Sequence, residues 1–173
     1  MKKIAIVGPE SSGKTTLAHT LAARGSTWCV EEYARMHLEK LKRPYLELDL
    51  LEIAQGQVQS EDMIVMMPVD VPLMVCDTDM ITVRIWSEEK YGRCDPWIIA
   101  QSEQRHYDLW LLCAPDIPWE ADPLRENPHD RDRLFQVCMA MLDRLKKPYV
   151  IVQGDREQRE KAAVEAIDQM IGK

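Results

Sequence analysis

The sequence has no apolar run long enough to cross a membrane. One apolar stretch covers only residues 4–7, and another, residues 63–76, is interrupted by Pro68, Asp70 and Pro72. A membrane-spanning helix needs about 20 mostly apolar residues, and the core of a signal peptide needs about 7 to 15. We therefore predict a cytoplasmic protein without a membrane partner.

Paired cysteines and metal-binding histidine patterns are also missing from the sequence. The five cysteines are scattered and form no CxxC pair. No metal-ligand spacing joins the four histidines, which are His19, His37, His106 and His129. Disulfide frameworks and zinc ribbons need regular, paired spacing. The sequence therefore predicts reduced core thiols, and histidines that are structural or exposed.

Positive charge is in deficit, with 22 lysines and arginines against 29 aspartates and glutamates and a net charge of −7. Nonspecific binding to nucleic acid needs a basic surface that displaces phosphate counterions, so we expect no nucleic-acid partner. A nucleotide ligand is compatible with this charge, because backbone N–H groups and one or two cations suffice to hold its phosphates.

What the sequence does contain is a series of short apolar segments that predict five β-strands. They cover residues 3–7, 28–31, 73–76, 109–113 and 149–152. Helical patterns lie between and after them, at about residues 13–23, 34–41, 48–66, 79–86 and 157–171. Strands that alternate with helices form a parallel sheet covered on both faces. We therefore predict one domain over residues 1–173, with a five-stranded parallel sheet in a three-layer α/β/α arrangement.

Residues 8–15 read Gly-Pro-Glu-Ser-Ser-Gly-Lys-Thr, a complete Walker A pattern between a predicted strand and a predicted helix. The two glycines allow the loop to curl around phosphate, Lys14 supplies a cation for the β- and γ-phosphates, and Thr15 offers a hydroxyl to Mg²⁺. We therefore predict ATP and Mg²⁺ as cofactors. The predicted nucleotide contacts are Gly8, Glu10, Ser11, Ser12, Gly13, Lys14, Thr15, Thr16 and Arg131.

Asp77 ends the third predicted strand, where P-loop proteins place the carboxylate that holds Mg²⁺. The alternative is an aspartate that only caps the next helix. Thr78 follows Asp77, whereas mechanical ATPases commonly place a water-activating glutamate there. The pattern therefore favours phosphoryl transfer to a bound acceptor over hydrolysis.

Two acids, Glu31 and Glu32, close the second predicted strand and face the same edge of the sheet. A carboxylate in this place can accept the proton of an attacking hydroxyl or hold the hydroxyls of a ribose. Successive strand residues face opposite ways, so one glutamate is expected to point into the site and the other away. A solvated acidic turn is the competing interpretation.

Residues 115–132 form a charged stretch with four prolines and few apolar residues. In a phosphotransferase, such an excursion after strand four would act as a lid, and the prediction is therefore a P-loop kinase fold with a lid insertion. Arg125, Arg131 and Arg133 are candidates to neutralise charge on the transferring phosphoryl group. For each arginine, a surface ion pair is an equally good interpretation.

Four motifs occur in order: the Glu-Ser-Ser Walker loop, Glu32-Tyr33-Ala34-Arg35, Asp77-Thr78-Asp79 and Trp119-x-x-Asp122-x-x-Arg125. Together they resemble the ribosylnicotinamide kinase domain of the NadR family over nearly the whole chain. In that family the kinase domain follows an adenylyltransferase domain, whereas here the first strand follows Met1 directly, so a stand-alone form is expected.

The resemblance implies transfer of phosphate from ATP to the 5′-hydroxyl of ribosylnicotinamide, with nicotinamide mononucleotide as product. It also implies that Glu32 and Asp79 hold or deprotonate the sugar and that Arg125 acts in the lid. With Lys14 and Asp77, these complete the predicted catalytic set. A flat cationic acceptor would suit an acidic pocket lined by aromatic residues. The candidate aromatic residues are Trp86, Tyr91, Trp97 and Trp119.

Two other functions stay open at this point: a kinase for another nucleoside or a vitamin, and an ATP- or GTP-binding regulatory switch. A guanine-specific switch would normally carry an Asn/Thr-Lys-x-Asp element after strand four. Here that strand ends in Cys-Ala-Pro-Asp, residues 113–116, which weakens the switch interpretation. A homo-oligomer is compatible with the sequence.

Overall fold

The computed structural model describes residues 1–25, 27–68 and 71–172, and it contains one parallel five-stranded sheet. The strands are β1 (Lys2–Val7), β2 (Thr27–Val30), β3 (Leu73–Asp77), β4 (Leu109–Cys113) and β5 (Tyr149–Val152). Their order across the sheet is β2-β3-β1-β4-β5. All five predicted strands are therefore present, within one or two residues of the expected bounds.

Seven helices surround the sheet in the described residues. They are α1 (Lys14–Ala22), α2 (Tyr33–Lys40), α3 (Glu47–Met66), α4 (Met80–Tyr91), α5 (Pro96–Gln104), α6 (Arg131–Arg144) and α7 (Arg156–Ile171). Two of them, α5 and α6, were not predicted from the sequence. No helix in the described part of the chain is both long and apolar enough to cross a membrane.

The sheet buries both faces, as expected for parallel strands joined by helical crossovers. Alternate residues of β1 face opposite sides: Ile4 and Ile6 pack with α1 and α7, and Ala5 and Val7 pack with α4 and α6. A third apolar cluster joins α2, α3, α4 and α5 beside the sheet. The predicted three-layer α/β/α fold is therefore confirmed, whereas the extent of one domain over residues 1–173 stays a prediction.

The central strand β1 defines where a ligand can bind. It pairs with β3 on one side, where Ile4 is opposite Val75, and with β4 on the other, where Ile4 is opposite Leu109. The strands β2 and β3 therefore lie on one side of β1, and β4 and β5 lie on the other, which makes the carboxyl end of β1 a topological switch point. Ligands of open α/β sheets bind in the crevice at such points.

The five cysteines all fall within the described residues, and all are free thiols. Cys76, Cys113 and Cys138 are buried, and Cys29 and Cys94 are partly buried. Reduced thiols were predicted from the unpaired spacing of these residues.

Candidate active site

The loop between β1 and α1, residues 8–13, is folded tightly against the end of β4. Gly8 has φ 141°, and a Cβ atom at this position would lie 2.6 Å from the carbonyl oxygen of Cys113. Inside the loop, the Ser12 hydroxyl donates a 2.7 Å hydrogen bond to the carbonyl of Pro9. Glycine is therefore required at position 8, and the loop leads directly into the N-terminus of α1, where backbone N–H groups favour anions.

The ammonium group of Lys14 lies over this loop. Its Nζ atom donates to the carbonyl of Gly8 at 3.0 Å and to the carbonyl of Pro9 at 2.8 Å. A phosphate oxygen carries more negative charge than a peptide carbonyl and forms stronger, charge-assisted hydrogen bonds with ammonium. Lys14 is therefore positioned to bind phosphate oxygens in place of the two loop carbonyls.

Two arginines, the half-buried Arg131 and the buried Arg159, bind carbonyl groups of the loop. Arg131 donates to the carbonyl of Ser11 at 3.1 Å, and Arg159 donates to the carbonyl of Ser12 at 2.8 Å. In a trans peptide the C=O and the following N–H point in opposite directions. Fixing these two carbonyls therefore points the N–H groups of Ser12 and Gly13 away from the arginines.

The structure thus places Arg131 as a support of the loop, and it does not line the cavity described below. Arg159 was not identified from the sequence. The available signal was its place on the apolar face of α7, at the spacing of Ala163, Ala166 and Ile167, because an arginine on a buried helix face needs buried partners.

Asp77, at the end of β3, is buried, and neither of its carboxylate oxygens has a hydrogen-bond partner among the described residues. Burial raises the pKa of this carboxyl group, whereas nearby Thr15 and Lys14 lower it. A carboxylate left alone beside a threonine hydroxyl offers the hard oxygen ligands that Mg²⁺ prefers. Thr15 and Asp77 therefore fit the predicted metal site.

Asp79, two residues on, has all its hydrogen bonds within the protein. One oxygen accepts from the backbone N–H of Thr82 at 3.0 Å, and the other accepts from the indole of Trp110 at 2.8 Å. Burial raises the pKa of Asp79 to about 6, although these donors act against the shift. The structure therefore shows Asp79 as the N-cap of α4. Its side chain does not line the cavity, and its role at an acceptor stays a prediction.

The two glutamates after β2 point to opposite sides. The side chain of Glu31 is 66% exposed, and its Oε1 lies 3.0 Å from His19 Nε2. Glu32 is half-buried and lines the cavity. Burial raises the pKa of Glu32, whereas the cations Lys14 and Arg35 lower it. A cavity carboxylate with a raised pKa close to the phosphate loop is a candidate proton acceptor.

A cavity of about 570 Å³ begins at the Walker loop and continues between α2 and α4. This volume is typical of small-molecule sites. Its floor is formed by residues 8–16, which are the loop and the first turn of α1 and include the predicted contact Thr16. Its other walls include Glu32, Arg35, Trp86, Lys90, Arg125 and Arg133. The phosphate loop and the candidate proton acceptor therefore share one continuous space.

The segment between β4 and α6, residues 114–130, rests on the Walker loop. The carboxylate of Glu10 accepts 2.9 Å bonds from the backbone N–H groups of Glu126 and Asn127. The hydroxyl of Ser11 accepts from the N–H of Glu120 at 2.9 Å. Two predicted nucleotide contacts, Glu10 and Ser11, therefore bind this β4–α6 segment, and their contact with nucleotide stays a prediction.

The candidate lid arginines occupy different places. Arg125 lines the cavity and donates to the Ser11 hydroxyl at 3.3 Å. Arg133 also lines the cavity but forms ion pairs with Asp130 and Glu89, as the surface-pair interpretation expects. Arg131 begins helix α6, so the irregular segment ends at residue 130 and not at 132 as predicted. Of the three, Arg125 therefore both lines the cavity and contacts the Walker loop, and its contact with phosphate stays a prediction.

Three residues of the far cavity wall, Trp86, Lys90 and Glu126, are joined by polar contacts through Tyr45, which lies outside the lining. The indole of Trp86 donates to the hydroxyl of Tyr45 at 2.6 Å, and this hydroxyl donates to Glu126 at 2.9 Å. Lys90 pairs with Glu126 at 3.0 Å and lies 3.6 Å from the centre of the Tyr45 ring. Sequence reasoning identified Trp86 and missed Tyr45 and Lys90, because their contacts cross three separate parts of the chain.

The other candidate aromatic residues do not line the cavity. Tyr91 and Trp97 pack in the apolar cluster of α2 to α5. Trp119 lies beside two arginines, with its ring centre 5.9 Å from Arg125 and 5.8 Å from Arg131. Trp86 is therefore the one of the four that this structure places against the candidate ligand space.

This combination of sheet order, glycine-bounded loop and buried strand-end carboxylate defines a P-loop nucleotide-binding protein with a kinase-like α/β fold. Residues 3–159 match the family described as AAA domain, and the chain belongs to this family. Among curated proteins it is 31% identical to the trifunctional NAD biosynthesis/regulator protein NadR of Escherichia coli K12 and, equally, to that of Salmonella typhimurium LT2. Both alignments cover 99% of this chain but only 43% of the relative.

Solved structures give the same fold. A crystal structure of NadR in complex with NR matches with a TM-score of 0.82 and 24% identity, covering 99% of this chain and 52% of the other. A thymidylate kinase from Ehrlichia chaffeensis matches with a TM-score of 0.63 and 14% identity, covering 98% of both chains. The predicted resemblance to NadR is therefore confirmed, with this chain spanning less than half the length of the curated relatives.

Proposed function

We propose that the protein is an ATP-dependent kinase that phosphorylates the ribosyl 5′-hydroxyl of a nucleoside, with ribosylnicotinamide as the acceptor. The observation that carries the proposal is that the Walker loop and Glu32 line one continuous cavity. The similarity to NadR, crystallised with NR and also with NAD and AMP-PNP, supports the choice of acceptor and of ATP as donor.

On the donor side, the loop N–H groups and Lys14 bind the β- and γ-phosphates of ATP. Asp77 and Thr15 would hold Mg²⁺, which when bound neutralises negative charge on these phosphates. Arg125, which lines the cavity beside Ser11, meets the charge that grows on the transferring phosphoryl group. The donor residues therefore act by position and charge.

On the acceptor side, Glu32 accepts the proton of the 5′-hydroxyl as its oxygen attacks the γ-phosphorus. The bond from the γ-phosphorus to the β,γ-bridging oxygen breaks, and ADP leaves. Trp86 offers a flat apolar surface to the base, and the carboxylate of Glu32 favours a cationic ring by Coulomb attraction. Lys90 is neutralised by its ion pair with Glu126 and opposes such a ring only weakly.

The β4–α6 segment acts as a lid in this proposal. It is bound to the donor loop through Glu10 and to the acceptor wall through Glu126 and Tyr45. Closure over both substrates excludes water, which suppresses hydrolysis of ATP.

The test is a panel of acceptors with Mg·ATP, in which both ADP release and the phosphorylated product are measured. We expect turnover with ribosylnicotinamide to exceed turnover with water, thymidine or adenosine. Glu32→Gln should lower transfer by about 10² to 10⁴, the usual contribution of a general base, with little change in ATP affinity. Glu31→Gln is the matched control, since its side chain points away, and should stay within a few-fold of wild type.

Two outcomes would contradict the proposal in different ways. Transfer to another nucleoside or a vitamin, with no stimulation by ribosylnicotinamide, would reject the acceptor but keep the kinase. ATP turnover stimulated only by a protein partner would reject the kinase in favour of a regulatory switch. The cytoplasmic location and any homo-oligomer stay predictions from the sequence.

A further inference from the structure

A second group of potential ligands lies on the face of the sheet that carries α1. Cys29 and Glu31 are two residues apart on the edge strand β2 and its extension, so their side chains share one face. His19, on α1, packs over this face. One ligand atom from each residue, a ring nitrogen, a sulfur and a carboxylate oxygen, lies within 4.8 Å of the other two.

We propose that His19, Cys29 and Glu31 form a binding site for a thiophilic divalent transition-metal cation such as Zn²⁺. None of the three lines the cavity of the candidate active site. Val30 pairs with Cys76, so Glu31 lies beside Asp77, and the proposed site adjoins the predicted Mg²⁺ ligand without including it. Three protein ligands, with water in the fourth position, make a common coordination set for zinc.

The distances suit a tetrahedral cation. Bond lengths of about 2.0 to 2.3 Å place neighbouring ligand atoms of zinc about 3.3 to 3.8 Å apart. His19 Nε2 and Glu31 Oε1 are 3.0 Å apart, and all pairs fall within 4.8 Å. Movements of about 1 Å therefore complete the geometry, and two of the three side chains are exposed enough to make them.

The charges also balance. A neutral imidazole, a thiolate and a carboxylate together carry two negative charges, which one divalent cation neutralises. Zinc binds cysteine as the thiolate, so binding releases the thiol proton to solvent.

The other grouping of this kind in the described chain is His37, Asp49 and Glu52, and one of its two carboxylates, Asp49, already has other hydrogen-bond partners. Asp49 accepts two short bonds from the guanidinium of Arg43 and a 2.6 Å bond from the N–H of Leu46. A cation would have to displace this arginine, so this second group serves as the control.

The experiment titrates the full chain, free of any affinity tag, with Co²⁺ as a spectroscopic probe and then displaces the probe with Zn²⁺. Coordination by Cys29 gives a thiolate-to-cobalt charge-transfer absorption, which oxygen ligands at Asp77 and Thr15 cannot give. Cys29→Ser should abolish this absorption, and Cys94→Ser should leave it unchanged. Loss of an outer-sphere partner costs about 10- to 100-fold in metal affinity. His19→Gln and Glu31→Gln, which remove direct ligands, should therefore weaken zinc binding by at least about tenfold.

His37→Gln is the matched histidine control and should keep wild-type affinity. The proposal is overturned by a missing thiolate band in the wild-type chain, by a band that persists in Cys29→Ser, or by equal losses in the His19 and His37 variants. Circular dichroism of each variant confirms that the fold is retained. The readout is independent of phosphoryl transfer, so the result does not depend on the proposed kinase function.

Discussion

Arg159 is expected to contribute strongly to stability, because its buried side chain forms hydrogen bonds with three separate parts of the chain. Its guanidinium donates to the carbonyls of Ser12, Ala114 and Gly154 at 2.7 to 2.9 Å, and it also contacts the carboxylate of Asp116. Only 5% of the residue is exposed. Arg159→Leu keeps an apolar side chain on the buried face of α7 and removes all these donors.

The expected loss of stability follows from the carbonyls that are left without a partner. A buried carbonyl that loses its partner costs about 1 to 3 kcal/mol, so at the lower bound the three carbonyls give a loss of about 3 kcal/mol in the free energy of unfolding. The Asp116 carboxylate is partly exposed and adds little, because water replaces the arginine there. For a protein of this size each kcal/mol lowers Tm by about 2 to 4 °C, so Tm should fall by about 6 to 12 °C.

The assay is urea unfolding followed by circular dichroism, with calorimetry for Tm. Arg156→Leu is the matched control, because Arg156 is exposed in the first turn of the same helix, and it should change stability by less than about 0.5 kcal/mol. ATP affinity should also fall in Arg159→Leu, since the peptide between Ser12 and Gly13 loses its support. Equal stability and equal ATP affinity of the two variants would refute the assigned role of Arg159.

Three further predictions concern the loop, the metal site and the lid. Lys14→Ala should keep the fold and lower the rate of phosphoryl transfer, measured by ADP release, by about 10² to 10³, as for other groups that stabilise charge in a transition state. Near wild-type turnover would reject the Walker assignment. Asp77→Asn should raise the Mg²⁺ concentration needed for half-maximal rate, because an amide is a poorer Mg²⁺ ligand than a carboxylate. An unchanged Mg²⁺ titration would reject Asp77 as the metal ligand. Glu10→Ala should speed amide hydrogen exchange at Glu126 and Asn127 by about tenfold or more. Each of these N–H groups loses a hydrogen bond to a charged acceptor, and such a bond is worth about 1.5 to 3 kcal/mol. Unchanged exchange would show that Glu10 does not hold the lid.

The parts of the fold that the sequence predicted are those whose signal is local. Each strand is a short apolar run, and the Walker loop lies within eight residues between a strand and a helix. Helix α5 was not predicted, and in the structure Asp95 caps this helix and Pro96 occupies its first turn. Proline is well suited to that position, since the first turn needs no donor from its nitrogen.

The contacts that assemble the site depend on residues far apart in sequence, and no local pattern reveals them. Glu10 meets Glu126 and Asn127, more than a hundred residues away, and Arg159 meets Ser12 across an even longer separation. Glu10 was predicted to contact nucleotide because it lies in the Walker loop. Position in a motif identifies a loop that binds phosphate, but the direction of each side chain depends on the segment that packs over it.

The acids Asp77 and Asp79 show how one backbone angle separates two residues that look alike in the sequence. Thr78, between them, has φ 96°, which is unfavourable for a β-branched residue and costs about 1 to 3 kcal/mol. The N–H of Thr78 is bonded to the carbonyl of Ile6, and Asp79 is fixed as a helix cap, so the strained angle is held from both sides. Asp77 is buried, and among the described residues neither of its carboxylate oxygens has a hydrogen-bond partner, which adds a second unfavourable term at the same point. A cation bound by Asp77 and Thr15 would remove that second cost. The strained turn therefore fixes in place the carboxylate that we predict to bind Mg²⁺.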